Sequence, residues 1–194
     1  MKIDEARAAI RKLLPDKRFR HSLGVSETAG ELAERFGADP EKAKLAGMLH
    51  DIAKYFSDRQ LAEMIRKRTD YPDDCLNYSD KLWHSPAGAI YVEETFGIVD
   101  PDILHAIRYH TTGRPQMSLL EKIIFLADYI EPGRDIPAID EVRRAAETDL
   151  NEACFLELQR TIIYLLQNRQ RVYPLTFEAY NDFAKRKNTN EVTE

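Results

Sequence analysis

The sequence contains no long apolar run and no apolar leader at its N-terminus. No stretch approaches the roughly 18 consecutive apolar residues that a membrane-spanning helix needs. The first residues, Met1 to Arg7, are rich in charged side chains and do not form a signal core. We therefore expect a cytoplasmic protein that has no membrane partner.

Cysteine is scarce, and positive charge is not in excess. The two cysteines, Cys75 and Cys154, follow neither a metal-binding nor a redox spacing, which predicts free thiols in a reducing compartment. The formal net charge of −5 argues against nucleic acid as a partner, because nucleic-acid binding relies on many lysine and arginine contacts to phosphates. A phosphate loop of the GxxxxGKS/T type is absent, so ATPase and kinase functions have no support.

Apolar residues recur at helical spacing along most of the chain, and no segment shows the alternation that predicts a strand. With 194 residues, 43% of them hydrophobic, the chain is long enough for one sizeable core. We predict an all-α fold, with a single domain over residues 1–187 and a disordered tail over 188–194. The predicted helices are Ile3–Leu14, Arg18–Phe36, one that starts at Pro40 and contains His50 and Asp51, Asp58–Arg68, two that start at Pro86 and Pro101, one from Ser118 to Pro132, Asp140–Glu147, Asp149–Arg171 and Thr176–Lys187, with a loop over Thr69–Lys81.

One ionisable pair stands in the middle of an apolar segment. Within Ala46–Lys54, His50 and Asp51 are neighbours in the helix predicted from Pro40. A buried charge costs several kcal/mol unless an opposite charge or a metal compensates it, so a metal ion is the economical explanation. Because adjacent helical residues point about 100° apart, other segments must supply the remaining ligands.

The candidates for these ligands are few, since the chain has five histidines. Besides His50 they include His21, His84 and His110, and Asp128 lies in a second apolar helix. Taken singly, a histidine is more often a core or surface residue than a ligand. His105 would point about 140° away from His110 on one helix, so we interpret it as structural. Nitrogen and carboxylate ligands without cysteine suit iron, manganese, cobalt, nickel or zinc.

These residues occur in the order His, His–Asp, His, His, Asp, each within a short motif. The motifs are Arg20–Val25, His50–Lys54, His84–Gly88, Tyr109–Gly113 and Ala127–Arg134. Together they resemble the HD-domain metal-dependent phosphohydrolases, and within them the YqeK branch of symmetrical diadenosine tetraphosphate hydrolases. The resemblance extends from Arg18 to Asn181, and five motifs in the right order make it specific.

The resemblance implies a helical HD-domain bundle with a dinuclear metal site. In the family, residues that match His21, His50, Asp51 and Asp128 hold the first ion, those that match His84 and His110 hold the second, and Asp51 bridges. Iron is the first expectation for the two divalent ions, with manganese, cobalt, nickel and zinc as alternatives. Two ions about 3.5–4 Å apart can clamp a phosphate between them.

Substrate contacts are expected from side chains beside these ligands. Lys54 and Arg134 are expected to act with Asp51 in catalysis, by stabilising charge on phosphate oxygens, although a solvated lysine or a surface ion pair would look the same in sequence. Further substrate contacts are expected from Arg20, His84, Thr111, Thr112 and Tyr173. Ordinary alternatives exist for these as well, such as a helix C-terminus, a solvated arginine or a packed aromatic ring.

The activity that the resemblance implies is cleavage of diadenosine tetraphosphate in the middle, giving two ADP. A dinucleoside polyphosphate is then the expected partner, and a homodimer is left open. The nearest alternative is another HD-type phosphohydrolase, either a nucleotidase or a cyclic-dinucleotide phosphodiesterase. The alternative outside catalysis is a nucleotide-sensing module with little turnover, which would not need both metals.

Overall fold

The computed structural model describes residues 1–190, with side chains described for residues 1–185. This part of the chain is all α-helical, as predicted, and contains no strand. Its helices are α1 (Ile3–Leu13), α2 (Asp16–Phe36), α3 (Pro40–Leu49), α4 (Asp58–Arg66), α5 (His84–Phe96), α6 (Pro101–Tyr109), α7 (Leu119–Ile130), α8 (Ile139–Ala145), α9 (Leu150–Gln167) and α10 (Pro174–Asn190). Two short 3-10 helices, Asp74–Asn77 and Asp80–Leu82, lie between α4 and α5. None of the helices just named has both the length and the apolar character needed to cross a membrane.

Several helix ends follow from short signals in the sequence. Asp39 accepts hydrogen bonds from two amides in the first turn of α3. Ser118 and Glu121 form a reciprocal capping box at the start of α7. Gly37 ends α2 in the left-handed conformation, with φ of 78°. Local chemistry therefore fixes one end of each of three helices that carry or directly precede site residues.

Helix α2 is central to the packing because it lies against both α3 and α7. Helix α3 also contacts α1 and α6, and α5 contacts α4 and α6. Fully buried aliphatic side chains such as Val25, Leu49 and Ile107 fill the core between them. Gly47 lets α3 approach α2 closely, since a Cβ there would lie 3.1 Å from the Cα of Ser26. This approach brings the end of α3 next to the N-terminal half of α2.

The helix predicted to run through His50 and Asp51 is shorter than expected. Helix α3 ends at Leu49, and the segment from His50 to Phe56 forms turns with hydrogen bonds between residues three apart. The His50 ring donates a hydrogen bond from Nδ1 to the carbonyl of Gly47 at 2.7 Å, and so satisfies one of the last carbonyls of α3. The prediction of a continuous helix was therefore wrong here, and Asp51 lies in a turn.

Other boundaries differ from the prediction by a few residues. The predicted loop Thr69–Lys81 contains the first 3-10 helix and the start of the second, and α9 ends at Gln167 instead of Arg171. Helix α10 continues to Asn190, into the segment predicted as a tail, and residues 191–194 of that segment lie outside the described part of the chain. Terminal turns depend on tertiary contacts as well as on local sequence, so shifts of this size are common.

Candidate metal centre

Six polar side chains meet where the ends or inner faces of five helices come together. They are His21 of α2, His50 and Asp51 after α3, His84 at the start of α5, His110 after α6, and Asp128 of α7. In three overlapping groups, their nitrogen and oxygen atoms lie within 4.8 Å of one another. The structure therefore brings together all six residues that the sequence predicted as ligands. His110 belongs both to a group with Asp51 and to a group with Asp128.

The two carboxylate oxygens of Asp51 face different histidines. Oδ1 lies 3.0 Å from Nε2 of His84 and 3.6 Å from Nε2 of His110. Oδ2 lies 3.4 Å from Nε2 of His50 and 3.8 Å from Nε2 of His21. A carboxylate that divides its oxygens in this way is suited to bridge two cations.

Asp128 supplies a second carboxylate on the side of His21 and His50. Its Oδ1 lies 2.9 Å from Nε2 of His21 and 3.8 Å from Nε2 of His50. Burial by itself would raise the pKa of both Asp128 and Asp51, but the facing histidines hold the pKa of each carboxyl well below its usual value. The cluster therefore contains two carboxylate anions.

Two of the histidines are oriented so that the same ring nitrogen faces the cluster. His50 donates from Nδ1 to the Gly47 carbonyl at 2.7 Å, and His110 donates from Nδ1 to the Ile107 carbonyl at 2.8 Å. These bonds leave Nε2 as the atom that can bind a metal. Burial lowers the pKa of His110, and it lowers the pKa of His84 to about 4, so both rings are neutral at neutral pH.

Three atoms of the cluster are buried without a hydrogen-bond partner in the described part of the chain: His21 Nε2, His50 Nε2 and Asp51 Oδ1. Their polar neighbours are close, but these contacts lack hydrogen-bond geometry. Because buried polar atoms are almost always paired, several unpaired atoms within one cluster indicate a binding site. The nitrogen and oxygen donors present fit divalent transition-metal ions.

Glu131, which the sequence analysis did not select, holds the opposite side of the His21 ring. Its Oε1 lies 2.9 Å from Nδ1 of His21, and its Oε2 accepts a hydrogen bond from the amide of Gly133 at 2.6 Å. A Cβ at Gly24 would lie 2.7 Å from Oε2, so glycine on α2 leaves room for the carboxylate. A carboxylate in this position fixes the orientation of a metal-binding histidine and makes it more basic. In the sequence, the signal for the position of Glu131 is the pair of glycines at 24 and 133. Their role can be recognised only once the fold is known.

Replacing Glu131 by alanine is expected to weaken metal binding by about 10- to 100-fold, because the His21 ring loses the partner that orients it. Competition with a chelator measures the affinity. Glu131→Gln keeps an oxygen acceptor for Nδ1 and should recover part of it. Glu93→Ala, which removes one of the two carboxylates bonded to Arg68, is the control that should bind metal normally. Equal affinities in wild type and Glu131→Ala would show that His21 needs no carboxylate.

Arg18 also lies outside the predicted set, and it binds Asp51 directly. Its Nη1 donates to Oδ2 of Asp51 at 2.7 Å. Arg18 precedes His21 by three residues on α2, and side chains at this spacing share a helix face, which is the signal that could have identified it. Arg20, which the sequence favoured, is exposed and lines a cavity of ≈ 590 Å³ together with Lys17, Arg18 and His21.

Lys54 reaches the cluster from the turn that follows Asp51. Its Nζ lies 3.1 Å from Nε2 of His84 and 3.9 Å from Oδ1 of Asp51. Burial lowers the pKa of Lys54, although the charges of Asp51 and Asp128 oppose this effect. The hydroxyl of Thr111 lies 3.4 Å from the same nitrogen of His84. Lys54 and Thr111 are therefore neighbours on the His84 side of the cluster.

Arg134 lies on the opposite side, where its guanidinium is bonded to Asp128. Nε donates to the main-chain carbonyl of Asp128 at 2.8 Å, and Nη2 donates to the carboxylate. Burial by itself would lower the pKa of Arg134, but the charge of Asp128 and its hydrogen bond raise the pKa, so the guanidinium stays charged. Arg134 also lines the 590 Å³ cavity beside His21. It can therefore contact a ligand in that cavity while it holds Asp128.

Thr112, Tyr173 and His105 make contacts away from the six clustered residues. The Thr112 hydroxyl donates to a neighbouring carbonyl at 2.9 Å, and the buried Tyr173 donates its hydroxyl to Asp74 at 3.0 Å. Thr112 and Tyr173 line a separate cavity of ≈ 180 Å³. The ring of His105 lies 5.9 Å from that of Tyr109, and His105 is in none of the metal-holding groups found among the described residues.

Known proteins resemble this chain over nearly its whole length. The protein-family model described as the HD domain matches residues 18–133 of this chain. A Bacillus subtilis protein named symmetrical bis(5′-nucleosyl)-tetraphosphatase is 48% identical over 181 residues, which cover 93% of this chain and 97% of that protein. A protein of the same name from Halalkalibacterium halodurans is 51% identical over 168 residues, or 87% and 89% of the two chains.

A solved structure shows the same fold. The HD-superfamily hydrolase from Clostridium acetobutylicum, described as involved in NAD metabolism, superposes with a TM-score of 0.91 at 40% identity. The superposition covers 96% of this chain and 98% of the other. This chain therefore belongs to the HD-domain family, together with the two bacterial tetraphosphatases, as its motifs predicted.

Proposed function

We propose that this protein is a metal-dependent hydrolase that cleaves diadenosine tetraphosphate symmetrically into two ADP. The observation that carries the proposal is the Asp51 carboxylate, whose two oxygens face separate histidines and which is bonded to Arg18 in the wall of a basic cavity. The relatives from Bacillus subtilis and Halalkalibacterium halodurans, which this chain matches over most of its length, bear the name of this activity.

Six residues would hold two divalent ions. We assign His21, His50, Asp51 and Asp128 to one ion, and His84 and His110 to the other, with Asp51 shared. The contacts of Asp51 Oδ2 on one side and Oδ1 on the other support this division. Iron is the predicted metal, and manganese, cobalt, nickel and zinc accept the same donors. When bound, the two ions would neutralise phosphate oxygens and lower the pKa of a water molecule to about 7.

Two cations of the chain would hold the polyphosphate from opposite sides. Lys54 stands beside His84, and Arg134 stands beside Asp128. A phosphate over the cluster would therefore have a positive side chain on each side. These charges would stabilise the negative charge that develops on the oxygens as the P–O bond breaks.

Neighbouring side chains would extend the contacts with the substrate. Arg18 and Arg20 add positive charge to the wall of the cavity beside His21. Thr111 offers a hydroxyl next to His84, which we also propose as a substrate contact. The contacts of Thr112 and Tyr173 with the nucleotide stay predictions, for which their shared 180 Å³ cavity offers a place.

The proposed reaction adds one water molecule across the central anhydride. The water oxygen forms a bond to one inner phosphorus, and the bond from that phosphorus to the central bridging oxygen breaks. The second ADP leaves with the bridging oxygen. His105, which packs near Tyr109, is not placed to protonate this oxygen, and ADP is a good enough leaving group to depart without a histidine acid.

Incubation of the metal-loaded protein with diadenosine tetraphosphate in heavy-oxygen water is expected to give two ADP, with the label in only one of them. Chromatography with mass spectrometry identifies the products. AMP plus ATP would refute symmetrical cleavage. The same assay with mononucleotides and cyclic dinucleotides tests the other phosphohydrolase activities. Tight binding of diadenosine tetraphosphate without release of ADP would favour the sensing module.

Three predictions concern the protein as a whole. We propose that residues 1–187 form one domain, that the protein is cytoplasmic, and that it assembles as a homodimer. Every helix from α1 to α10 packs against at least one other of these helices, which supports the first proposal. Sedimentation equilibrium measures the third directly.

A further inference from the structure

A second cavity adjoins the basic cavity at Arg134. It has a volume of ≈ 580 Å³, within the range of about 300–1,000 Å³ that is typical of small-molecule sites. Arg134 and Ile136 line both cavities, so the two meet at these side chains. Residues of α7 and of the last turns of α9 form the other walls of the second cavity.

The chemistry of the two cavities is different. Four basic side chains line the first cavity and outnumber its two carboxylates, Glu131 and Asp135, so it suits the negative charges of a polyphosphate. The rings of Tyr129 and Tyr164 line the second, together with apolar side chains and the guanidinium of Arg160, which is bonded to Glu141. Such a surface suits a flat, weakly polar group such as a nucleobase.

Helix α9 presents the groups that a nucleobase would contact. Tyr164 is 57% exposed, although it is an aromatic residue on a cavity wall. Exposed aromatic rings are the platforms on which bases stack, because every base has a π-face. Thr161 and Gln167 lie one turn or less away on the same helix and line the same cavity, where they offer donors and acceptors for the edge of a base.

We propose that this second cavity binds one nucleoside of the dinucleoside polyphosphate, with the base against Tyr164 and the phosphate chain passing Arg134 toward the metal cluster. This inference rests on the proposed function, because it requires a substrate with a nucleoside at the end of a polyphosphate. Arg134 is bonded to Asp128 through Nε and Nη2, which holds its guanidinium at the junction of the two cavities. The order from the cluster outward is then phosphate, Arg134, nucleoside.

The test uses two probes that the metal-loaded protein does not need to hydrolyse. One is diadenosine tetraphosphate with a methylene group in place of the central bridging oxygen, and the other is inorganic tetraphosphate, which has no nucleoside. Tyr164→Ala is expected to weaken binding of the first probe about tenfold, since a stacked base loses its platform. Binding of inorganic tetraphosphate should not change. Isothermal titration calorimetry measures both.

The matched control is Leu166→Ala, because Leu166 is 62% exposed on the same helix and is not among the residues that line the cavity. It should bind both probes as wild type does, and Tyr164→Phe should keep most of the affinity because it keeps the ring. Equal binding of the dinucleotide by wild type and Tyr164→Ala would overturn the inference. A parallel loss for inorganic tetraphosphate would overturn it as well, since the tyrosine would then act on phosphate or on folding.

Failure of the proposed function is a separate result. In that case the wild-type protein itself releases no ADP from diadenosine tetraphosphate, and the proposed nucleoside site is refuted together with the proposed function. If wild type releases ADP and Tyr164→Ala binds the analogue as tightly as wild type does, only the nucleoside site is refuted.

Discussion

Replacing Asp51 by alanine is expected to remove both metal ions and to lower turnover by about 10³-fold or more. Its two oxygens face separate sets of histidines, so its loss would remove a ligand from the proposed sites of both ions. Its loss would also leave the partly buried guanidinium of Arg18 without its carboxylate, beside the histidines. Elemental analysis and steady-state kinetics on the same preparation measure the two effects.

The control for Asp51 is His105→Ala. His105 is on α6, five residues before His110, but its ring packs near Tyr109 and outside the cluster. This variant should keep about two ions per chain, as the wild type should, and most of its turnover. Greater metal loss in His105→Ala than in Asp51→Ala would contradict the choice among the histidines. A wild-type content of one ion or fewer after reconstitution with iron or manganese would remove the second ion, proposed for His84 and His110.

Lys54→Ala is expected to lower kcat by about 10²- to 10³-fold while the metal content stays unchanged. Lys54 lies 3.1 Å from Nε2 of His84, and its side chain is 30% exposed, so it can reach a phosphate placed over the cluster. A cation that acts on charge developing in the transition state raises kcat more than it strengthens binding of the ground state. Steady-state kinetics with parallel elemental analysis separates the two effects.

Lys12→Ala is the control for this loss of charge, because Lys12 is exposed on α1. It should leave kcat unchanged. A loss of metal in Lys54→Ala that parallels the loss of turnover would make the lysine a partner that positions His84, not a catalytic group. Unchanged turnover in Lys54→Ala would show that Lys54 is an ordinary solvated lysine with no part in catalysis.

The helices could be predicted because their signals are local. The cap at Asp39, the capping box at Ser118 and the glycine at 37 act within one or two turns, and the structure places helix ends at each of them. The signal failed at His50, because the competing hydrogen bond to Gly47 depends on a ring orientation that apolar periodicity does not encode.

The candidate site could be predicted in part. The motifs selected six residues that the fold gathers within a few ångströms, because few histidines and buried aspartates were available and their order matched a known family. The sequence selected Arg20 and passed over Arg18, since two arginines two residues apart on a helix differ only in the direction in which they point. The structure shows that Arg18 is the one bonded to Asp51.

The sequence by itself determined the all-helical class, the family, and the types of donor atom available for a metal. Tertiary structure alone decided how Asp51 divides its oxygens, that Glu131 holds His21, and that Arg134 stands between two cavities. These features join segments up to 110 positions apart in the chain. Helix propensity and capping act over a few residues, whereas contacts at such separations arise only when packed helices fix the distances between them.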